Sequence, residues 1–132
     1  MTSQIESVVT DTHAILWRFR DDPRLPTTAH DVFDAVERNE LRLLVPTIVL
    51  AELITLGERR MPDLDFDAMF DRFSGMESVT FVPFDLAVFK EMLKLPGSLE
   101  IHDRVIAATA QLYGSVVMTR DRELQNAVRT IW

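Results

Sequence analysis

Short apolar runs alternate along the chain with longer segments in which apolar residues recur at helical spacing. The apolar runs have the length and composition of strands at positions 5–10, 41–45, 79–82 and 115–118, and 128–132 is a candidate for a short last strand. The segments between them have the period of helices at 12–19, 27–39, 47–60, 65–73, 84–95, 100–113 and 120–127. Residues that favour helix ends support these bounds, among them Thr27 as a cap, Pro46 at a helix start, and Gly75 and Gly114 after helix ends.

The order of these elements predicts the fold class. Strands that alternate with helices are typical of an α/β domain with a parallel central sheet and helices on both faces. The chain has no repeat, low-complexity tract or Gly/Ser linker, so we expect one domain over residues 1–132. Such sheets bind ligands beyond the carboxyl ends of their strands, so the residues that follow each strand are candidates for the functional site.

Composition narrows the class of protein and its location. Hydrophobic residues make up 47% of the chain and charged residues 27%, as in ordinary globular domains. The absence of cysteine excludes a disulfide framework, a thiolate zinc site and a cysteine nucleophile. No apolar run approaches the roughly 20 residues of a membrane helix, and residues 1–10 lack the pattern of a signal peptide. We therefore expect a cytoplasmic protein without a membrane partner.

Two carboxylates follow predicted strands. Asp11 comes directly after the first strand, and Asp121 comes shortly after the fourth. If these strands are parallel, both carboxylates lie at the same edge of the sheet. The alternative is that each acid caps the following helix or complements its dipole.

Glu52 and Asp103 lie on predicted helices. The helical neighbours of Glu52, at positions 48, 49, 55 and 56, include no basic residue and are mostly apolar. An unpaired buried charge is costly, so Glu52 is a candidate metal ligand unless it reaches water or meets an arginine from elsewhere. Asp103 lies beside the apolar face of its helix, near the start, where it can also complement the helix dipole. Glu100 is a candidate fifth acid, although a capping role is simpler.

These four carboxylates together predict a metal site. Ligand sets made only of oxygen suit Mg²⁺ or Mn²⁺. One such ion can activate a water, and a second ion about 3.5–4 Å away can stabilise the leaving oxygen of an in-line displacement. Four acids are enough for one or two ions of this kind.

The sequence around each acid resembles a motif of one family. The opening segment Val-Val-Thr-Asp11-Thr-His-Ala looks like the start of a PIN-domain protein, especially of the VapC-type toxins of bacterial toxin–antitoxin pairs. The segments Ala-Glu52-Leu, Ile-His-Asp103-Arg and Thr-Arg-Asp121-Arg resemble the second, third and fourth motifs of that family. The motifs stand in the family's order and span essentially the whole chain, which is more specific than any single motif.

The resemblance implies a single-domain PIN-like fold in which Asp11, Glu52, Asp103 and Asp121 are metal ligands and catalytic residues around Mg²⁺ or Mn²⁺. It implies endoribonuclease activity on RNA as the toxin of a toxin–antitoxin pair, often dimerisation, and often inhibition by a separately encoded antitoxin. Thr119 would help to hold the site through its hydroxyl. The net charge of −7 is a departure from the expected basic RNA groove, although 12 of the 14 basic residues are arginine, which suits phosphate.

Basic residues beside the acids have two interpretations each. Arg104, Arg120 and Arg122 can contact phosphate or pair with neighbouring carboxylates. His13 and His102 can act as general acid or base, although a metal-activated water needs no histidine.

Other functions remain open at this point. A non-toxin RNA-processing nuclease would carry the same acids, and an interaction module could bind metal, RNA or protein without catalysis. A phosphate-accepting receiver domain needs a lysine near its strand-end acids, but Lys90 and Lys94 lie together on one helix. Dispersed glycines, and the absence of the Gly-x-Ser-x-Gly and His-Glu-x-x-His patterns, argue against nucleotide-loop, serine-hydrolase and zinc-protease functions.

Overall fold

A five-stranded parallel sheet forms the centre of the fold. The computed structural model describes residues 5–132; residues 1–4, which belong to the predicted domain and to the segment expected to lack a signal peptide, lie outside the described part. The strands stand in the order β3-β2-β1-β4-β5, and every neighbouring pair is parallel. Their bounds are β1 Ser7–Thr10, β2 Arg42–Pro46, β3 Val79–Val82, β4 Val116–Met118 and β5 Thr130–Ile131.

Helices cover both faces of this sheet. Within residues 5–132 they are α1 Thr12–Arg20, α2 Thr27–Glu37, α3 Thr47–Arg60, α4 Phe66–Ser74, α5 Leu86–Met92, α6 Ile101–Leu112 and α7 Arg122–Ala127. Successive residues of a strand point to opposite faces, yet Val8 and Val9 of β1 are both 0% exposed, and Leu43 and Leu44 of β2 are 0% and 4% exposed. Strands buried on both faces are typical of a parallel sheet between two layers of helices. The predicted α/β class is therefore confirmed.

The direction in which the chain adds strands reverses at β1. From β1 the chain moves outward to β2 and β3, and it then crosses back to add β4 and β5 on the other side of β1. Such a reversal opens a crevice beyond the carboxyl ends of the two strands that flank it, here β1 and β4. Thr10 pairs with Met118, so both strands end at the same level. The residues that follow them are thereby brought side by side.

Aspartate side chains define the starts of four helices. Asp11, Asp65, Asp85 and Asp121 each accept hydrogen bonds from backbone N–H groups in the first turn of α1, α4, α5 and α7, respectively. Because Asp121 is the cap, α7 begins at Arg122 rather than at position 120.

Other helix ends differ from the predictions or confirm them. Thr27 is the first residue of α2 and not its cap, a position occupied by Pro26. α5 ends at Met92 rather than at 95, because the Met92 carbonyl oxygen accepts hydrogen bonds from the Leu95 N–H and the Arg104 side chain. Gly114 follows α6 as predicted, and its φ of +65° is a left-handed conformation that favours glycine. Within the described residues, no helix has the length and apolar character that a membrane span requires.

Candidate active site

A cleft of about 430 Å³ lies beyond the carboxyl ends of β1 and β4. It is the crevice at the reversal of strand order, where parallel sheets bind their ligands. All four acids singled out in the sequence line it, and they come from the end of β1, from α3, from α6 and from the segment after β4. The residues that line the cleft are Asp11, Thr12, His13, Glu52, Glu100, Asp103, Ile106, Arg120, Asp121 and Trp132.

Asp11 and Asp121 follow adjacent strands, and both cap a helix. Oδ1 of Asp11 accepts the Ala14 N–H at 2.8 Å. Oδ1 of Asp121 accepts the N–H groups of Glu123 and Leu124 at 2.8 and 3.2 Å. Capping orients each carboxylate through one oxygen, and the Oδ2 of Asp121 takes no part in these bonds. The capping interpretation is therefore correct for both residues, and it is compatible with a role in the cleft.

Thr119 connects the two acids at the strand ends. It is fully buried, and its hydroxyl oxygen accepts the Asp121 backbone N–H at 3.0 Å. Burial raises the pKa of Asp11 above its usual value, and a hydrogen bond with the Thr119 side chain offsets part of this rise. One hydroxyl thus helps to fix the positions of both carboxylates, which is the role that the family resemblance implied for Thr119.

Glu52 reaches the cleft from α3 and is held by a neighbouring helix. The Thr12 hydroxyl of α1 donates a hydrogen bond to Oε1 of Glu52 at 2.7 Å. Nδ1 of His102 lies 3.9 Å from Oε2, and the Glu52 side chain is 30% exposed. The charge is therefore stabilised by a hydroxyl and by solvent rather than by an arginine.

Asp103 lies in the first turn of α6 among other carboxylates. Burial, and then the negative charges of Asp121, Glu100, Glu52 and Asp11, raise the pKa of Asp103 from 3.8 to about 6. The neighbouring acids are thus near enough for their charges to disfavour the ionised form of Asp103. A cleft with this negative potential favours a cation.

Glu100 caps α6 and also lines the cleft. Its Oε2 accepts the His102 backbone N–H at 3.0 Å, and its Oε1 lies 2.7 Å from Nδ1 of the His102 ring. The simpler interpretation of Glu100 as a cap is confirmed, and its charge adds to the negative potential at Asp103.

The three arginines next to the acids in sequence have different environments. Arg104 donates from Nε to the Met92 carbonyl oxygen at 3.0 Å and from Nη2 to the Leu95 carbonyl oxygen at 3.4 Å. Both predicted roles for Arg104, phosphate contact and carboxylate pairing, were therefore wrong, because its guanidinium stabilises the end of α5. Arg122 is exposed and does not line the cleft, whereas Arg120 does.

Arg120 places a cation at the acidic cleft. Its Cζ lies 4.7 Å from the centroid of the Trp17 ring, and the Cζ of Arg24 lies 4.6 Å from the same ring. Trp17 is 2% exposed, so it is a rigid support for both guanidinium groups. Within residues 5–132, Arg120 forms no ion pair with a carboxylate. Its guanidinium is therefore free to contact an anion that enters the cleft.

The donor set of the cleft fits a divalent cation, although it is open. In the part of the chain that the structure describes, no three His, Asp or Glu side chains form a preformed metal-binding group. Mg²⁺ usually keeps several waters and takes few carboxylates together with substrate phosphate, so an open group of acids suits it. The raised pKa of Asp103 reflects negative charge that such an ion would neutralise.

A comparison with protein families agrees with this geometry. The family model described as the PIN domain matches residues 8–129. The chain belongs to the PIN-domain family. The match includes all four acids of the cleft, and the family resemblance seen in the sequence is confirmed. PIN nucleases generally use divalent metal ions.

Solved structures share the fold of this PIN domain at low sequence identity. VapBC2 from Rickettsia felis bound to a promoter DNA fragment matches with a TM-score of 0.70 and 13% identity over 95% of this chain and 97% of that chain. FitAcB from Neisseria gonorrhoeae also matches with a TM-score of 0.70, at 20% identity over 95% of this chain and 96% of that chain. DNA-bound VapBC from Salmonella typhimurium matches with a TM-score of 0.65, at 18% identity over 97% of this chain and 98% of that chain. No curated protein sequence matches the chain significantly.

Sequence reasoning missed three residues that line the cleft of this PIN domain. Thr12 follows Asp11 directly, and Ile106 lies one helical turn after Asp103, so their positions could have indicated both. Trp132 gave no local signal because it comes from the far end of the sequence, where its ring lies 6.1 Å from that of Trp17.

Proposed function

We propose that this PIN domain is a divalent-metal-dependent endoribonuclease that hydrolyses RNA phosphodiester bonds. The observation that carries the proposal is the meeting of four carboxylates in one cleft, Asp11, Glu52, Asp103 and Asp121. Their mutual repulsion disfavours ionisation and costs stability, as the raised pKa of Asp103 indicates. Such a cost, borne in a cleft, is typical of a functional site.

The four carboxylates are proposed to hold Mg²⁺ or Mn²⁺. The chemistry that such an ion supplies when bound is activation of water for in-line attack and neutralisation of charge on the phosphodiester. The chain itself keeps the oxygen ligands in place. Backbone N–H groups fix Asp11 and Asp121, and the Thr12 hydroxyl fixes Glu52. Binding requires the ionised carboxylates, so protonation of Asp103 opposes it.

Arg120 is proposed to contact the phosphate of the substrate. A guanidinium binds two phosphate oxygens at once through its planar fork of N–H donors. The cation–π contact with buried Trp17 restricts the orientation of the Arg120 guanidinium before RNA binds. Arg120 thereby supplies positive charge to the cleft without cancelling a carboxylate through a direct ion pair.

We propose that the chain acts on RNA in the cytoplasm as the toxin of a toxin–antitoxin pair. Its proposed partner is a separately encoded antitoxin. Support comes from the fold, which is shared with structures described as VapBC, FitAcB and a toxin–antitoxin complex from Klebsiella pneumoniae. If the chain is a toxin, its expression alone should arrest growth of the host cells. Co-expression of the protein encoded by the neighbouring reading frame should relieve that arrest. Continued arrest with every neighbouring product would contradict the antitoxin proposal.

A homodimer is the second proposed assembly. Leu86, Phe89 and Leu93 follow one face of α5 and its end, and they are 64%, 46% and 66% exposed. Exposed apolar faces of this kind mark protein interfaces, and a second copy is the proposed occupant. Light scattering should find a dimer that Leu86→Glu dissociates, whereas the matched variant Tyr113→Glu, at the exposed C-cap of α6, should remain dimeric. A monomeric parent protein would refute this assembly.

The nuclease proposal is tested by RNA cleavage with matched variants. Asp11→Asn keeps an oxygen that can cap α1 but removes the negative charge, and Asp65→Asn makes the same change at a helix cap outside the cleft. We expect wild type and Asp65→Asn to cut a mixed RNA pool in Mg²⁺ or Mn²⁺. Asp11→Asn should lose about 100-fold or more, because the loss of a metal site's outer partner alone costs about 10–100-fold. Equal cutting by Asp11→Asn would refute the proposal, and RNA binding without cutting by wild type would favour an interaction module.

A further inference from the structure

A second groove adjoins the active-site cleft along α3. It has a volume of about 310 Å³, and Glu52 lines both the groove and the cleft. The residues that line the groove are Ala51, Glu52, Thr55, Leu56, Arg59, Arg60 and His102. A polymer held in the cleft therefore has a surface to follow past Glu52 toward the end of α3.

Two exposed arginines that pair with no carboxylate in the described part of the chain line this groove. Arg59 and Arg60 are both exposed, and neither forms an ion pair with any carboxylate in residues 5–132. Other arginines without an ion pair among the described residues, such as Arg42 and Arg122, line neither the groove nor the cleft. Basic residues in the last turn of a helix complement its dipole, but that effect does not require them to line a groove. Their positive charge beside an acidic cleft suggests an anionic ligand that passes both.

The other residues of the groove suit the remainder of a nucleotide. Ala51, Thr55 and Leu56 give a surface of small and apolar groups between Glu52 and the arginines. Proteins that bind single-stranded nucleic acid combine a basic groove that follows the backbone with side chains, most often aromatic, against which the bases pack. The volume lies at the lower end of the range for small-ligand pockets, about 300–1,000 Å³, which is room for about one nucleotide.

We propose that this groove is a subsite for the single-stranded RNA segment that flanks the scissile bond, an inference that rests on the proposed function. Arg59 and Arg60 each contact one backbone phosphate, while the intervening sugar and base pack against Leu56 and Ala51. This arrangement places positive charge on the path of the substrate. It therefore accounts for RNA binding by a chain with a net charge of −7.

The salt dependence of RNA binding tests the subsite. The probe is a fluorescently labelled single-stranded RNA of mixed sequence, and the parent is the full chain carrying Asp121→Asn so that the probe stays intact, as checked on a gel. Fluorescence anisotropy is measured at constant Mg²⁺ over a series of KCl concentrations. Removal of two phosphate contacts by Arg59→Gln with Arg60→Gln should reduce the slope of log K against log [KCl] by about 1.4, at about 0.7 for each contact. Arg122→Gln, at an exposed arginine outside the cleft and the groove, should leave the slope unchanged.

The outcomes separate the subsite from the nuclease. An unchanged slope in the double variant would overturn the subsite and assign the groove to another ligand, such as an acidic peptide. No RNA binding by the parent would overturn it as well. Cleavage by wild type is measured separately, so a reduced slope without any cleavage would support RNA binding in the groove but refute the nuclease. Cleavage by wild type with an unchanged slope in the double variant would support the nuclease and refute the subsite.

Discussion

Replacement of Asp103 by asparagine tests the electrostatic account of the cleft. The raised pKa of Asp103, about 6 against 3.8, means that the folded chain binds this proton more tightly than the unfolded chain does. The stability that this difference contributes is present below about pH 3.8 and is lost as the pH rises through about 6. Above that pH, the charged carboxylate destabilises the metal-free fold. Asp103→Asn, which has nearly the same shape and no charge, should therefore stabilise it.

The size of the effect follows from the same shift. The interval from 3.8 to about 6 corresponds to about 3 kcal/mol, at about 1.4 kcal/mol for each pH unit. Asp103 is only partly buried, so solvent screening reduces this to about 1 kcal/mol. In a chain of this length, that free energy raises the Tm by roughly 3–5 °C.

Thermal unfolding followed by circular dichroism measures this effect. In EDTA at about pH 7.5, Asp103→Asn should melt above wild type, and the difference should vanish near about pH 4. Added Mg²⁺ should then favour wild type, because a ligand that binds the folded chain stabilises it and the variant has lost one binding oxygen. Asp65→Asn controls for the same chemical change outside the cleft. An Asp103→Asn protein that melts below wild type in EDTA at about pH 7.5 would refute the reasoning.

Substitutions at three further positions separate effects on the chemistry from effects on stability. Arg120→Ala should lower kcat/KM for RNA by about 100-fold through loss of phosphate stabilisation, and Arg120→Lys should restore only part of it; unchanged kinetics would exclude the phosphate contact. Arg104→Ala should lower the free energy of unfolding, measured in urea, by about 1–2 kcal/mol, because the carbonyl groups of Met92 and Leu95 lose a hydrogen-bond donor. The folded variant should cleave RNA as wild type does. Gly114→Ala should lower the free energy of unfolding by about 1 kcal/mol, since alanine is strained at φ +65°. An unchanged free energy of unfolding would contradict this conformation.

Residues whose placement depends on local pattern could be predicted from the sequence. Asp11 and Asp121 follow strands, and the ends of adjacent parallel strands meet at one edge of a sheet. Both acids also cap helices, and a single carboxylate serves both purposes because capping engages one oxygen. Glu52 was singled out by its lack of a local partner, and the cleft is where its side chain lies.

Contacts between distant segments could not be predicted in this way. The hydroxyl that holds Glu52 belongs to Thr12, on another helix, and periodicity contains no information about that approach. Arg104 was expected to face phosphate or carboxylate, whereas tertiary packing brings it to the carbonyls of α5 and contributes to the early end of that helix. The place of Trp132 in the cleft likewise depends on the pairing of β5 with β4 at the edge of the sheet. Each of these is a result of packing rather than of propensity.

The Mg²⁺ dependence of RNA cleavage tests the central claim most directly. Initial rates are measured for wild type and Asp121→Asn from EDTA through increasing Mg²⁺, with Asp65→Asn as the control. We expect no cleavage in EDTA, a saturable rise of the rate with Mg²⁺ for wild type and the control, and little or no rise for Asp121→Asn. Equal cleavage in EDTA, or an Asp121→Asn curve that overlays that of wild type, would contradict the claim.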